Sequence, residues 1–215
     1  MTNESEEVLK IVLIGESSVG KTSIITQFID KSFQDELQST VGGTFNTKII
    51  KCEDINKRLK LEIWDTAGQE RYRSVTRMFY KDTDIALLIY DITKKSSYEA
   101  LKNYWVQQVI ESSLKKTLLV MIANKSDLID SEQVDEEEAR NYAQTIDAHF
   151  FVVSAKDLYT VNEMFKDIAK IYSGAKNVSI EDTNEENYFQ IQKIRKDSVK
   201  VTLKKPEKKK KMLLI

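Results

Sequence analysis

Eight residues near the start constrain this chain more than any others: Gly15-Glu-Ser-Ser-Val-Gly-Lys-Thr22 follows an apolar run at 9–14 and opens a helical pattern at 21–31. Glycines let such a loop curl tightly, and a helix beginning there directs unpaired N–H groups out of its first turn. Consecutive N–H groups, including those of Val19, Gly20, Lys21 and Thr22, suit phosphate oxygens, and Lys21 adds a positive charge. The Thr22 hydroxyl is a candidate ligand for Mg²⁺, which takes few protein oxygens and fills its octahedral shell with phosphate and water. The loop implies a nucleotide and leaves ATP and GTP both open.

Downstream, apolar runs alternate with helical patterns, the signature of an α/β fold with helices on both faces of a mostly parallel sheet. The runs at 9–14, 85–90, 117–122 and 150–153 are nearly continuous in hydrophobicity, as strands covered on both faces are. Two others alternate with polar residues, Phe45-x-Thr47-x-Ile49 and Leu59-x-Leu61-x-Ile63, and flank a turn-like stretch at 53–57. That pattern predicts an antiparallel edge hairpin, and so a six-stranded, mostly parallel sheet with one antiparallel edge strand. Helices are predicted over 21–31, 97–112, 135–146 and 161–171. The expected organisation is a short N-terminal extension at 1–7, one domain at 8–173, and a flexible, hypervariable tail at 174–215 with a basic C-terminus.

The 33 Lys and Arg against 34 Asp and Glu give a net charge of −1, which argues against a nucleic-acid partner. The balance hides a basic end, with six lysines and one glutamate in 204–215. Cys52 is the one cysteine, so a disulfide framework and a cysteine-rich zinc site are excluded. Thr2 stands where a myristoylation signal requires glycine, and no run approaches the ~18 apolar residues of a membrane helix. A cytoplasmic protein is expected. His149, the one histidine, is read as a fold-border residue rather than a base.

Base choice rests on Asn124-Lys-Ser-Asp127, just after an apolar strand. A carboxylate at Asp127 can accept from the ring N–H and 2-amino group of guanine, two donors on one edge that adenine lacks. A site built on such hydrogen bonds rejects the analogue without them by about 10⁴–10⁵.

Together with Thr40, Trp64-Asp-Thr-Ala-Gly-Gln-Glu70 and Ser154-Ala-Lys156, these motifs resemble, in order and spacing over 8–173, those of Ras-superfamily GTPases. The resemblance implies a P-loop NTPase G domain that binds GTP or GDP with Mg²⁺. It puts Gly15, Ser17, Ser18, Val19, Gly20, Lys21, Thr22 and Ser23 around the phosphates, and Phe33, Asn124, Lys125, Asp127, Ser154, Ala155 and Lys156 around the base and its support. Phe33 would pack edge-on against guanine, the Lys125 stem would lie along it, and the Ala155 N–H would meet its carbonyl. Thr22 and Thr40 would ligate Mg²⁺, with Asp65 holding it through a water. Catalysis would fall to Gln69, orienting the attacking water, with Lys21, Thr40 and the Gly68 N–H at the γ-phosphate.

Trp64 and the run Glu70-Arg-Tyr-Arg-Ser-Val75 are similar to the Rab family in particular. That resemblance implies a GTPase switch of vesicle trafficking and protein transport on endomembranes, with Phe45, Trp64 and Phe79 as an aromatic triad gripped by effectors. Exchange factors, activating proteins and effectors would read segments 33–45 and 66–80. Leu37 occupies the slot where some relatives carry a catalytic arginine, so slow intrinsic turnover is expected, an arginine supplied in trans being worth about 10³–10⁵ in rate. The ending Lys208-Lys-Lys-Lys-Met-Leu-Leu-Ile215 departs from the prenylated cysteines usual in Rabs and suggests at most weak contact with anionic membranes. A Ran-like transport GTPase and a nucleotide-locked binding module are the alternatives.

Overall fold

The computed structural model describes residues 5–35, 40, 43–66, 79–112 and 116–181. Among the described residues seven strands form one sheet: β1 (Ser5–Ile14), β2 (Gly43–Cys52), β3 (Lys57–Thr66), β4 (Ile85–Asp91), β5 (Leu118–Asn124), β6 (Ala148–Val152) and β7 (Val178–Glu181), in the order β6-β5-β4-β1-β3-β2-β7. Helix α1 (Lys21–Asp30) follows β1. A helical path after β4 comprises α2 (Lys95–Ala100), a π-helical turn (Leu101–Trp105) and α3 (Val106–Ser112). Helices α4 (Glu136–Thr145) and α5 (Leu158–Ser173) precede and follow β6.

Strands β6, β5, β4, β1 and β3 pair in parallel, so their carboxyl ends lie at one end of the sheet. Strict alternation divides their side chains between two cores. Leu9, Ile11 and Leu13 of β1 join Ile24 and Phe28 of α1 and Phe165 of α5 on one face, where the two phenyl rings stack with centroids 3.8 Å apart. Val12 and Ile14 join Trp105, Val109 of α3, and Ala139 and Ala143 of α4 on the other. Burying each large apolar side chain contributes about 1.5–3 kcal/mol, so β4, buried along its whole length, is anchored twice over.

The sheet extends beyond the sequence expectation at both ends. Residues 5–7 are part of β1, paired with Lys57, Arg58 and Leu59 of β3 rather than forming an extension. Hydrophobicity does not reveal this segment because backbone pairing and the ion pairs Lys57 with Glu7 and Arg58 with Glu6 hold it. The seventh strand, β7, pairs antiparallel with β2, from Cys52 opposite Val178 to Ile49 opposite Glu181. Residues 178–181 are thus sheet rather than tail, and the antiparallel edge has two strands. The hairpin turn holds β7 in place: Asp54 accepts from the N–H groups of Lys176 and Asn177 at 2.8 and 3.1 Å, and Glu181 pairs with Lys51 and Arg58 at 2.9 and 2.7 Å. His149 lies exposed within β6, not before it. The expected tail from 182 onward lies outside the described residues.

Candidate functional site

The loops leaving the carboxyl ends of the parallel strands surround a cleft of about 410 Å³. Open α/β sheets bind ligands at this end, beside the strand where the order reverses, here β1. Gly15 and Gly20 shape the first loop through backbone conformations that side chains resist, φ +149° and +96°. A Cβ at Gly15 would stand 2.2 Å from the carbonyl oxygen of Ile89, and one at Gly20 would stand 2.2 Å from Asn124 Nδ2. Gly20 caps α1 without a side-chain hydrogen bond, and the first turn holds no acidic residue, so the N-terminal N–H groups and the helix dipole favour an anion.

Lys21 is 6 % exposed and donates to the carbonyl oxygens of Gly15 at 2.9 Å and Glu16 at 2.7 Å. Burial lowers its pKa to about 8 against the opposing attraction of Asp65 and Glu16. Thr22 Oγ1 lies 2.8 Å from Thr40 Oγ1 and donates to Asp65 Oδ2 at 2.7 Å. Asp65 is 1 % exposed, and burial raises its pKa although the Thr22 hydrogen bond and the Lys21 charge oppose the rise. Among the described residues its buried Oδ1 has no hydrogen-bond partner. Three hard oxygens and this orphaned carboxylate oxygen fit Mg²⁺, although no group of three or more His, Cys, Asp or Glu among the described residues could hold a metal alone.

At the other end, Asn124 is fully buried and ties three loops together. Its Nδ2 donates to Val19 O at 2.8 Å and its Oδ1 accepts from the Ala155 N–H at 3.1 Å. Asp127 accepts from Ser154 Oγ at 2.6 Å, and Lys156 Nζ lies 3.4 Å from its other oxygen. Burial would raise the Asp127 pKa, but the Ser154 and backbone hydrogen bonds and the Lys156 charge together hold it below the usual carboxylate range. Lys156 also lies over the Phe33 ring, 5.6 Å from its centroid.

Ser17, Ser18, Gly20, Lys21, Thr22 and Ser23 line the phosphate end with Thr40, and Phe33 lines the wall beside Lys156 at the base end. Asn124, Lys125, Asp127, Ser154, Ala155 and Lys156 line the base end. Gly15 and Val19 do not reach the wall; they support it through their carbonyls. The Ala155 N–H, expected at the guanine carbonyl, is engaged by Asn124. Gly68, Gln69 and Leu37 lie outside the described residues, as do 36–39 and 41–42 of the first expected switch segment and 67–78 of the second. Phe45, Trp64 and Phe79 form a half-buried aromatic cluster, with Trp64 ring centroids 5.0 Å from Phe45 and 5.7 Å from Phe79.

The sequence reading missed Gln34, Asp35, Thr66 and Leu128 on the wall. It also missed Asp91, 4 % exposed, whose Oδ2 pairs with Lys125 Nζ at 2.6 Å and anchors that side chain beside the cleft. One signal was available: Asp91 is the only charge in the strand Ile85–Asp91, placed at its carboxyl end.

The loop around Lys21 and the loop around Asp127 are joined by one buried asparagine at a shared cleft, and the comparisons with known proteins supply the family that carries these motifs. The Ras family profile matches residues 10–173. Ras-related protein Rab-22A of Homo sapiens is 39% identical over 162 residues, 75% of this chain and 82% of that protein. Ras-related proteins RabC and Rab-2B of Dictyostelium discoideum are 36% and 39% identical over 162 and 161 residues, 75% of this chain and 82% and 78% of theirs. The chain belongs to the Ras family of small GTPases, on its Rab branch. The Rab names of these relatives do not favour the Ran-like alternative. Among the described residues no helix is long and apolar enough to cross a membrane.

Proposed function

We propose that the chain is a Rab-type switch in intracellular vesicle trafficking, which binds GTP or GDP with Mg²⁺ and hydrolyses GTP slowly until an activating protein assists. The observation that carries this reading is a single cleft with Lys21 and a helix N-terminus at one end and Asn124 with an ionised Asp127 at the other. Lys21 would neutralise the β and γ phosphates, which would also compensate its burial. Asp127 would accept from the guanine edge, oriented by Ser154. Thr22 and Thr40 would hold Mg²⁺ directly and Asp65 through water; the ion, when bound, draws charge from the phosphate oxygens. Gln69 would orient the attacking water, with the Gly68 N–H at the γ-phosphate. Segments 33–45 and 66–80 would order around that phosphate and relax once it leaves. Exchange factors, activating proteins and effectors would read that change, effectors through Phe45, Trp64 and Phe79. The basic end at 204–215 would add weak contact with anionic endomembranes at their cytosolic face.

Single-turnover hydrolysis of GTP by the purified chain and by Gln69→Leu tests this reading. The expected result is slow wild-type cleavage, at least about tenfold slower in the variant. Equal rates would remove Gln69 from its role. A wild type that keeps GTP uncleaved even with an activating protein would identify a nucleotide-locked binding module instead.

A further inference from the structure

Lys125 holds a conformation that its residue type resists. Its backbone lies in the left-handed region, φ +69° and ψ +36°, between the end of β5 and the short 3₁₀ helix Ser126–Ser131. A residue with a Cβ is strained there and persists only where its surroundings over-determine it. The turn joins two fixed points. Asn124 before it is tied to Val19 and Ala155, and Asp127 after it meets Ser154 Oγ at 2.6 Å. The rotation at Lys125 sets the direction in which the chain leaves the first point for the second.

What holds this turn comes from another strand. Asp91 ends β4, paired in register with Asn124. Its Oδ2 meets Lys125 Nζ at 2.6 Å, while its Oδ1 accepts from the Thr93 N–H and Oγ1 at 2.9 and 2.7 Å. The Asp91 N–H donates to Ser97 Oγ, and its carbonyl accepts from the Lys94 N–H. The Asp91 side chain is 6 % exposed and that of Lys125 33 %. A buried carboxylate with both oxygens engaged is a fixed anchor, and its charge-assisted bond to the ammonium restrains the residue that carries it.

We infer that Asp91 is a positioning residue for base selection: through its ion pair with Lys125 it holds the left-handed turn that sets Asp127 against the guanine edge. This inference rests on the guanine-nucleotide reading above. Ser154 holds the tip of the Asp127 side chain, and the Asp91–Lys125 pair holds the backbone from which that side chain projects. Asp91 itself is not on the cleft wall, so it acts through Lys125.

The test compares affinity for GDP with affinity for inosine diphosphate, which keeps the ring N–H of guanine and lacks its 2-amino group. The ratio therefore reads the alignment of Asp127 with the second of the two donors. It is measured on the full chain with Asp91→Asn, Lys125→Met and the two combined. Asp91→Asn keeps the size and an oxygen for Thr93 and turns an amide donor toward the ammonium. The ratio falls by about tenfold, the scale of one hydrogen bond to a charged group. Lys125→Met keeps the apolar stem, removes the ammonium and lowers the ratio to the same degree. The double variant stays within about threefold of either single one, because the same pair is broken in all three. Loosening of the fold weakens both nucleotides alike, so a wild-type ratio in either single variant overturns the inference. A double variant whose fall is the product of the two single ones also overturns it. If Asp91→Asn does not hold its fold, Asp91→Ser, which still accepts from Thr93, takes its place in the same comparison. A wild type that binds neither nucleotide, or both equally, overturns the guanine reading itself and takes this inference with it.

Discussion

At the carboxyl ends of β1, β3, β4 and β5, Lys21, Asp65, Asp91 and Asn124 are almost wholly buried and engaged by polar groups, Lys21 by carbonyls of its own loop and the other three by partners from distant parts of the chain. Along the β2–β7 edge, Glu181, Lys51 and Arg58 are partly exposed and joined by ion pairs. Both regions hold charge against a sheet, under different physical rules. A buried group that loses its partner pays its full desolvation cost, whereas a half-exposed ion pair is replaced by water at little loss. Substitution is therefore expected to cost more among the buried groups of the cleft than along the edge.

The largest effect that could break this contrast is at the base end. Asp127→Ala is expected to reduce the preference for GDP over ADP by up to about 10⁴, read by competition against a fluorescent guanine nucleotide. Unchanged preference would remove Asp127 from base recognition. A much smaller effect is expected at the edge, where Glu181→Gln should cost no more than about 1 kcal/mol in chemical unfolding and leave nucleotide affinity unaltered. A change in affinity would mean that the edge and the cleft are coupled. The smallest effect sharpens the contrast by staying flat. The folded-state pKa of Asp127 is depressed, so its charge is lost only as pH falls through that lowered value. Guanine preference should therefore hold between about pH 8 and about pH 5, and fall only below the ordinary carboxylate range near ~4. Competition measured across that range checks it; a decline already at about pH 6 would place the reading on another group.

Local motifs were legible because each contains its own reason: Gly15 to Thr22 spells a loop and a helix start, and Asn124 to Asp127 follows an apolar strand. Four of the five parallel strands, β1, β4, β5 and β6, were legible from continuous hydrophobicity, and β2 and β3 from alternation. Long-range partnerships were not. Nothing near Lys125 names Asp91, and the π-helical turn has no composition of its own. Strand β7 escaped because four half-buried residues carry little hydrophobic signal, and its register depends on a hairpin turn more than a hundred residues earlier. Gln69 and Gly68, read from their motif, remain expectations that hydrolysis measurements decide.

The buried Asn124 also has a consequence for biosynthesis. Its side chain joins the carbonyl of Val19 to the N–H of Ala155, so the cleft is assembled from the early, middle and late parts of the chain. At about 5–20 residues per second, a ribosome exposes the phosphate loop on the order of ten seconds before residue 155. During that interval the nascent chain carries a glycine-rich loop and the apolar strand before it without the neighbours that complete them. The polar link that closes the cleft is therefore complete only when translation has delivered the third loop.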